Sequence, residues 1–418
     1  MTEIDELFAE FPPGVRERLR LGWDKLPDSA RAPLAGAVKE LPGSLARWRE
    51  LMRLALAHLR VVTGDKRRVA IVGPANVGKS TLYNQLVRNA ADRAEVSAVP
   101  GTTRASQTAD AGLFSVVDTP GADAVGAVGE AEKERALGAA READFLVVVF
   151  DAIQGIKRAE QELFRELQAL EVPHVVVLNK IDLVAGARES RRVVEAAALN
   201  LGLAADQVVP CVAKDGKHVE RVLLAVAKAE PEIVAALGAA LPDYRRMLAW
   251  SATKKAGATA ATIALAPLPI LDVFPLLAVQ SSLVLGIARI YGQRMTFGRV
   301  RELTATFGLG FLGRTLFQEL SKFGGPPGWV LAAAIASSTT VVMGRAAAAW
   351  FERGERPRAS QLRAESRSLG KRMLESLRKL GRRRPRAEAV EREVEAALSG
   401  SPADGPQAGG SGTSQTTA

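Results

Sequence analysis

The sequence predicts an α/β protein: a mostly parallel sheet covered by helices on both faces, with an N-terminal helical extension and a C-terminal all-α region rich in alanine and glycine. Three observations predict it. Between residues 68 and 229, five short, apolar, β-branched runs alternate with amphipathic stretches, the pattern of strands buried on both faces. Prolines at positions 12, 13, 27, 33 and 42 cut the first 65 residues into short helical pieces. Beyond Pro242 two long stretches are almost free of charge: residues 256–288 carry only Asp272, and residues 323–344 carry none.

Taken in order, the stretch SLARWRELMRLALAHLRVV (44–62) places Leu45, Trp48, Leu51, Met52, Leu54, Ala55 and Leu59 near helical spacing, with arginines between them. It reads as a helix packed on the next domain, or as one facing a partner or membrane. The strands are VAIV (69–72), FSVVD (114–118), FLVVVFD (145–151), HVVVLN (174–179) and VVPC (208–211). ERALGAAREA, RAEQELFRELQALE and RESRRVVEAAALNLG are the helices between them. The domain boundaries that follow are 1–65, 66–230, 231–352, 353–398 and 399–418, the last a Gly/Ser-rich tail of disordered composition. No internal repeat is present.

The chain has 418 residues, 47% hydrophobic and 24% charged, and so has the composition of a folded protein with a sizeable core. Its net charge of +10 is concentrated: residues 353–386 hold thirteen Lys/Arg against three Glu, so the remainder sums to zero. Such a segment reads as a site for anionic lipid or nucleic acid. The single cysteine, Cys211, excludes an internal disulfide and fits a reducing compartment. The start, MTEIDELFAEFPPG, is acidic and is not a secretory signal. The expected location is the cytoplasmic side of a membrane, or otherwise the cytoplasm.

The chemistry begins at GPANVGKS, where Gly73, Gly78, Lys79 and Ser80 meet the pattern G-x-x-x-x-G-K-[ST]. Glycines let backbone N–H groups turn inward around a β-phosphate, Lys79 reaches the β- and γ-oxygens, and the Ser80 hydroxyl ligates Mg²⁺. A strand precedes the motif, and STLYNQLV opens a helix whose positive end faces the phosphates. DTPG then places Asp118 at a strand end to hold the Mg²⁺ water shell, with the Gly121 N–H for the γ-phosphate. Ahead of it, VPGTTR supplies Thr102 and Thr103, one of which closes over the metal. In NKID, from Asn179 to Asp182, a carboxylate accepts from N1–H and the exocyclic amine of guanine, donors that adenine lacks on that edge. The nucleotide is therefore expected to be GTP.

GPANVGKS, PGTTR, DTPG and NKID make residues 68–229 resemble the Era-like and TrmE-like P-loop GTPases of the translation-factor class. The resemblance implies that Thr103 is the Mg²⁺-ligating threonine. It also implies that Asn76, Val77, Thr81, Lys180 and Lys214 lie against the nucleotide. The family's fifth element, usually SAK, aligns with Val212, Ala213 and Lys214, so that the Ala213 N–H would meet the guanine O6 although Val212 replaces the serine. The residues with catalytic roles are then Lys79, Thr103 and Gly121. Ala122 stands where Ras-type enzymes carry glutamine, which implies slow intrinsic hydrolysis. In TrmE-like members an asparagine at the position of Asn76 helps bind K⁺, so K⁺-stimulated turnover and G-domain dimerisation are implied as well.

Residues 245–350, with ATKKAGATAATIALAPLPILDVF and GIARIYGQ, resemble an uncharacterised domain that follows Era-like GTPase domains and is described as membrane-associated. A span needs about 20 apolar residues. Pro267, Pro269, Pro275 and Asp272 break the first candidate into two shorter helices, and the second, 328–344, contains Ser337, Ser338, Thr339 and Thr340. The connection 289–322, with six Lys/Arg and two Glu, would lie outside if both stretches crossed, against the positive-inside tendency. The favoured reading is a helical bundle that docks on or dips into the membrane; a two-span protein is the competitor. Residues 353–386 then meet anionic lipid or, alternatively, ribosomal RNA, and their lack of aromatics for base stacking favours lipid. A GTP-binding scaffold with little turnover is the third reading.

Overall fold

The computed structural model describes residues 42–66, 68–87, 107–108, 113–119, 127–265, 273–293, 328–354, 358–381 and 385–398, with positions 16, 17, 20 and 24 upstream. The chain divides into two compact units. One comprises Leu59–Ser251 with Leu285–Phe297, and the other Met1–His58, Ala252–Val284 and Gly298–Ala418.

Helix α1 (Pro42–Ala57) buries Leu51, Met52 and Ala55 and leaves Leu54 exposed. The single helix expected over 44–62 is two, because α2 (Leu59–Thr63) follows a tightened turn in which His58 N–H donates to the Ala55 carbonyl. Strand β1 (Val69–Pro74) is buried along its whole length and runs into α3 (Lys79–Leu86). Next come β2 (Gln107–Thr108), β3 (Phe114–Thr119) and α4 (Ala127–Glu142). The α/β part closes with β4 (Phe145–Asp151), α5 (Arg158–Gln168), β5 (His174–Asn179), α6 (Gly186–Leu201), β6 (Val208–Pro210) and α7 (Val219–Ala229).

The sheet order is β2-β3-β1-β4-β5-β6. All pairings are parallel except β2 with β3, which is antiparallel. All five strands read from the apolar runs are present, and the α/β class is as expected. The addition is β2, two polar residues with no apolar run to announce them. A core of Val72, Val148, Phe150, Phe164, Leu178 and their neighbours lies between the sheet and its helices. Because β1 sits between β3 and β4, successive crossovers leave it in opposite directions. That opens a crevice at its carboxyl end, where ligands of open α/β sheets bind.

Beyond the sheet the described chain is helical: α8 (Val234–Ala240), α9 (Arg245–Ala264), α10 (Val273–Ile290), α11 (Gly328–Arg353), α12 (Ala359–Arg378) and α13 (Ala387–Leu398). Pro267 and Pro269 fall between α9 and α10, the two shorter helices expected there. Pro275 stands in the first turn of α10, where a missing N–H costs nothing. Helix α11 is the one described helix long and apolar enough to cross a membrane, and 83% of its apolar window is buried inside the protein. Its four consecutive hydroxyls are tolerated because Ser338, Thr339 and Thr340 donate to carbonyls four residues back, each at 2.7 Å. Gln280 then donates to the Thr340 hydroxyl at 3.0 Å. Helix α12 packs Leu362, Leu369, Met373, Leu374 and Leu377 inward and exposes Arg367, Lys371, Arg372 and Arg378. The tail from 399 and most of the basic connection 289–322 lie outside the described residues.

Candidate nucleotide site

The loop between β1 and α3 is wound so that backbone N–H groups converge. Asn76 (φ 63°) and Gly78 (φ 96°) both take left-handed conformations, and alternation of this kind makes an anion-binding nest. At Gly78 the backbone approaches so closely that a Cβ would collide with the Asn179 Nδ2. Lys79, only 3% exposed, opens α3 and donates its ammonium to the Pro74 carbonyl at 2.5 Å. The loop is thus closed on itself with a cation at its centre. Ser80 and Thr81 lie in the first turn of α3, half-buried, where the helix terminus is positive.

The NKID segment, expected to read guanine, is tied to this loop through side chains. Asn179, 3% exposed at the end of β5, donates from Nδ2 to the Val77 carbonyl at 2.8 Å. Its Oδ1 accepts from the Ala213 N–H at 2.9 Å. One amide therefore joins the phosphate loop to the segment 212–214. Lys180 follows with φ 64°, a conformation that non-glycine residues keep only where their surroundings impose it. Its ammonium donates to the Asn76 carbonyl at 2.6 Å and to Asp151 Oδ2 at 2.7 Å. Asp182, in the short 3-10 turn Ile181–Leu183, is exposed. Gln85 on α3 donates to the Lys214 carbonyl at 3.1 Å and fixes the far side of the 212–217 loop, where the Val212 N–H donates to the Lys217 carbonyl at 3.0 Å.

Of the residues singled out from the sequence, the fold brings Gly73, Asn76, Val77, Gly78, Lys79, Ser80, Thr81, Asn179, Lys180, Asp182, Ala213 and Lys214 to the carboxyl edge of the sheet. For Asp118 the backbone is described, and it lies in register with Gly73 on the neighbouring strand. Thr102, Thr103, Gly121 and Ala122 lie outside the described residues. Sequence reasoning missed Asp151 and Gln85. A signal for the first exists, since it is the polar last residue of the apolar run FLVVVFD, in register with Asn179. Gln85 carries no signal of its own. Cys211 offers no nucleophile: burial, with the Glu220 carboxylate adding to it, pushes its thiol up to about 12.

Mg²⁺ demands hard oxygen donors and keeps much of its water shell, binding through one or two protein oxygens. A hydroxyl on Ser80 in the first turn of α3, the carboxylate-bearing position 118 beside the nest, and a buried lysine at its centre are donors and charge of that kind. Among the described residues no group of three or more His, Cys, Asp or Glu could form a separate metal cage.

Two family models match the chain. Residues 68–180 match the one described as 50S ribosome-binding GTPase, and residues 245–379 match Domain of unknown function (DUF697). The tRNA modification GTPase MnmE of Picosynechococcus sp. is 42% identical over 126 residues, which are 28% of this chain and 26% of that protein. GTPase Der of Thermotoga petrophila is 39% identical over 129 residues, 29% of each. The chain thus spans under a third of the length of these two curated relatives. A solved structure of Aquifex aeolicus Era bound to GDP.AlF4- overlaps with TM-score 0.34 at 24% identity, covering 46% of this chain and 67% of that one. The nest, its lysine, and the Asn179–Ala213 tie define a P-loop GTPase domain. More particularly, residues 68–180 are similar to the GTPase domains of MnmE and Der, and residues 245–379 match a domain of the DUF697 type.

Proposed function

We propose that this protein binds and hydrolyses GTP, and that its nucleotide state acts on a helical domain held at a membrane. The observation that carries the first part is the Asn179 side chain. It joins the phosphate loop at Val77 to Ala213 and leaves Asp182 exposed beside them to accept from a guanine ring. In this reading Lys79 balances charge on the β- and γ-phosphates, and Ser80, Thr103 and Asp118 hold Mg²⁺, which supplies charge neutralisation at the transferred phosphoryl group. The Gly121 N–H meets the γ-phosphate. Ala122 has no group to orient an attacking water, so hydrolysis without help is slow. Asn76 takes K⁺ beside the phosphates and raises the rate. Phosphate release in KCl against NaCl tests this, with equal rates removing the potassium role and no release in either leaving a scaffold that only holds GTP.

The membrane part is supported by the outward cations of α12, each worth up to about 1 kcal/mol near an anionic leaflet. The protein would dock peripherally from the cytoplasmic side. A second reading, binding to ribosomal RNA, draws on the description of the matched GTPase family and on the same cations. The absence of aromatics from residues 353–386 weighs against it. Flotation with vesicles containing anionic lipid, run beside co-sedimentation with ribosomes, separates the two. Release into the supernatant on carbonate extraction of cell membranes would eliminate a spanning protein.

A further inference from the structure

Among the described residues at the carboxyl edge of the sheet, Asp151 is a buried acid that no sequence motif accounts for. Asp151 ends β4, is 5% exposed, and belongs to none of the phosphate, metal or base-reading elements. Its position is set twice by the backbone. It lies in register with Asn179 on β5, and the next residue, Ala152, donates its N–H to the Asn179 carbonyl at 2.9 Å. Its two oxygens are divided. Oδ1 accepts from the Ile153 N–H at 2.8 Å and closes the turn that leaves the strand. Oδ2 accepts from the Lys180 ammonium at 2.7 Å.

That ammonium links the carboxylate to the phosphate loop through its 2.6 Å bond to the Asn76 carbonyl. Lysine side chains are flexible, and this one is 32% exposed. Without an anchor it gains by swinging into water. The carbonyl it would abandon belongs to Asn76, which is held in a left-handed conformation that an ordinary residue adopts only at a cost. The peptide units on either side of Asn76 carry N–H groups of the nest. A buried anion behind Lys180 therefore acts, two bonds away, on the orientation of the donors that face the phosphates.

We infer that Asp151 is a positioning residue of the nucleotide site. Its carboxylate holds the Lys180 ammonium against the Asn76 carbonyl, and so keeps the phosphate loop wound for guanine nucleotide and slows its release. The inference rests on the reading of this edge as a guanine-nucleotide site. It goes beyond that reading by assigning a residue outside all five motif elements, and it requires Asp151 to act through Lys180 alone.

The test is the dissociation rate of a fluorescent GDP from the full chain with Mg²⁺, chased with unlabelled GDP. Four proteins are compared: wild type, D151N, K180M and the double variant. Asp151→Asn keeps an acceptor for the Ile153 N–H while removing the charge. Loss of a charge-assisted bond predicts that release from D151N quickens about tenfold. K180M should quicken by a similar factor, and the double variant should be no faster than K180M. The D151N melting temperature should stay near that of wild type. A residue that merely supports the fold would instead lower the melting temperature and multiply its effect with that of K180M. Unchanged release from D151N, or multiplied effects in the double variant, overturns the inference while leaving the site reading intact. A wild-type chain that retains no guanine nucleotide overturns both. If D151N cannot be purified folded, D151S, whose hydroxyl still serves the Ile153 N–H, is read in the same way.

Discussion

Asn179 and Ala213 are 34 residues apart in sequence and joined by a single bond of 2.9 Å, from the Ala213 N–H to the Asn179 Oδ1. The same amide reaches Val77 with its other end. Replacing Asn179 with alanine strands two buried backbone groups, a carbonyl and an N–H, at a cost on the order of 2–4 kcal/mol. Asn179→Ala should therefore lower the melting temperature and also weaken GTP binding by at least about tenfold. Thermal denaturation and calorimetry on the same preparation measure both. A variant that melts lower but binds GTP as tightly as wild type would separate the tie from the site.

His58 makes stability depend on acidity. Its ring is half-buried, accepts or donates at Thr259 Oγ1 over 3.0 Å, and is pushed down to about 4, first by desolvation and then by the Lys255 ammonium. The unfolded chain binds a proton here near pH 6.5 and the folded chain only near 4. Stability from this residue is thus complete above pH 6.5 and is lost as pH falls toward 4, up to about 3 kcal/mol in all. Urea unfolding at pH 7.5 and 5.0 should show the loss, and His58→Gln should flatten it. Equal pH dependence in the two proteins would mean that His58 is not the group responsible.

Cys211 should resist modification in the folded protein. It is fully buried and its thiol is pushed up to about 12, so thiolate is scarce at neutral pH and no reagent has access. Titration with a disulfide reagent at pH 8 should find no reactive thiol in buffer and one per chain in denaturant. Rapid reaction in buffer would show that the 211–217 segment opens.

Two glycines in helices predict opposite effects of alanine. A Cβ at Gly344 of α11 would collide with the Thr253 side chain, and overpacking of this kind costs about 1–3 kcal/mol. At Gly138 of α4 nothing lies within 4 Å of the added carbon, so alanine gains about 0.5–1 kcal/mol of helix propensity. Gly344→Ala should lower the unfolding midpoint and Gly138→Ala should raise it.

Much of the α/β half was legible because parallel strands buried on both faces are continuous apolar runs, as FLVVVFD and HVVVLN are. The strand β2 was not, since Gln107 and Thr108 owe their strand conformation to pairing with Val116 and Ser115 rather than to their own character. The motif residues that the fold gathers at the carboxyl edge of the sheet were legible for a related reason: each motif is local, and its neighbours in sequence are its neighbours in space. Asp151 and Gln85 belong to the site through partners 29 and 129 residues away, a relation that no single stretch displays. The break at His58 escaped notice as well, because apolar periodicity continues through a residue whose ring is tied to Thr259.

Calorimetry of the purified chain with Mg²⁺, titrated separately with GTP and ATP, tests the central claim most directly. An exposed Asp182 beside the Asn179 tie predicts that GTP binds and that ATP binds far more weakly, since the adenine edge offers no donor pair to that carboxylate. Equal affinity for the two nucleotides, or binding of neither, would contradict it.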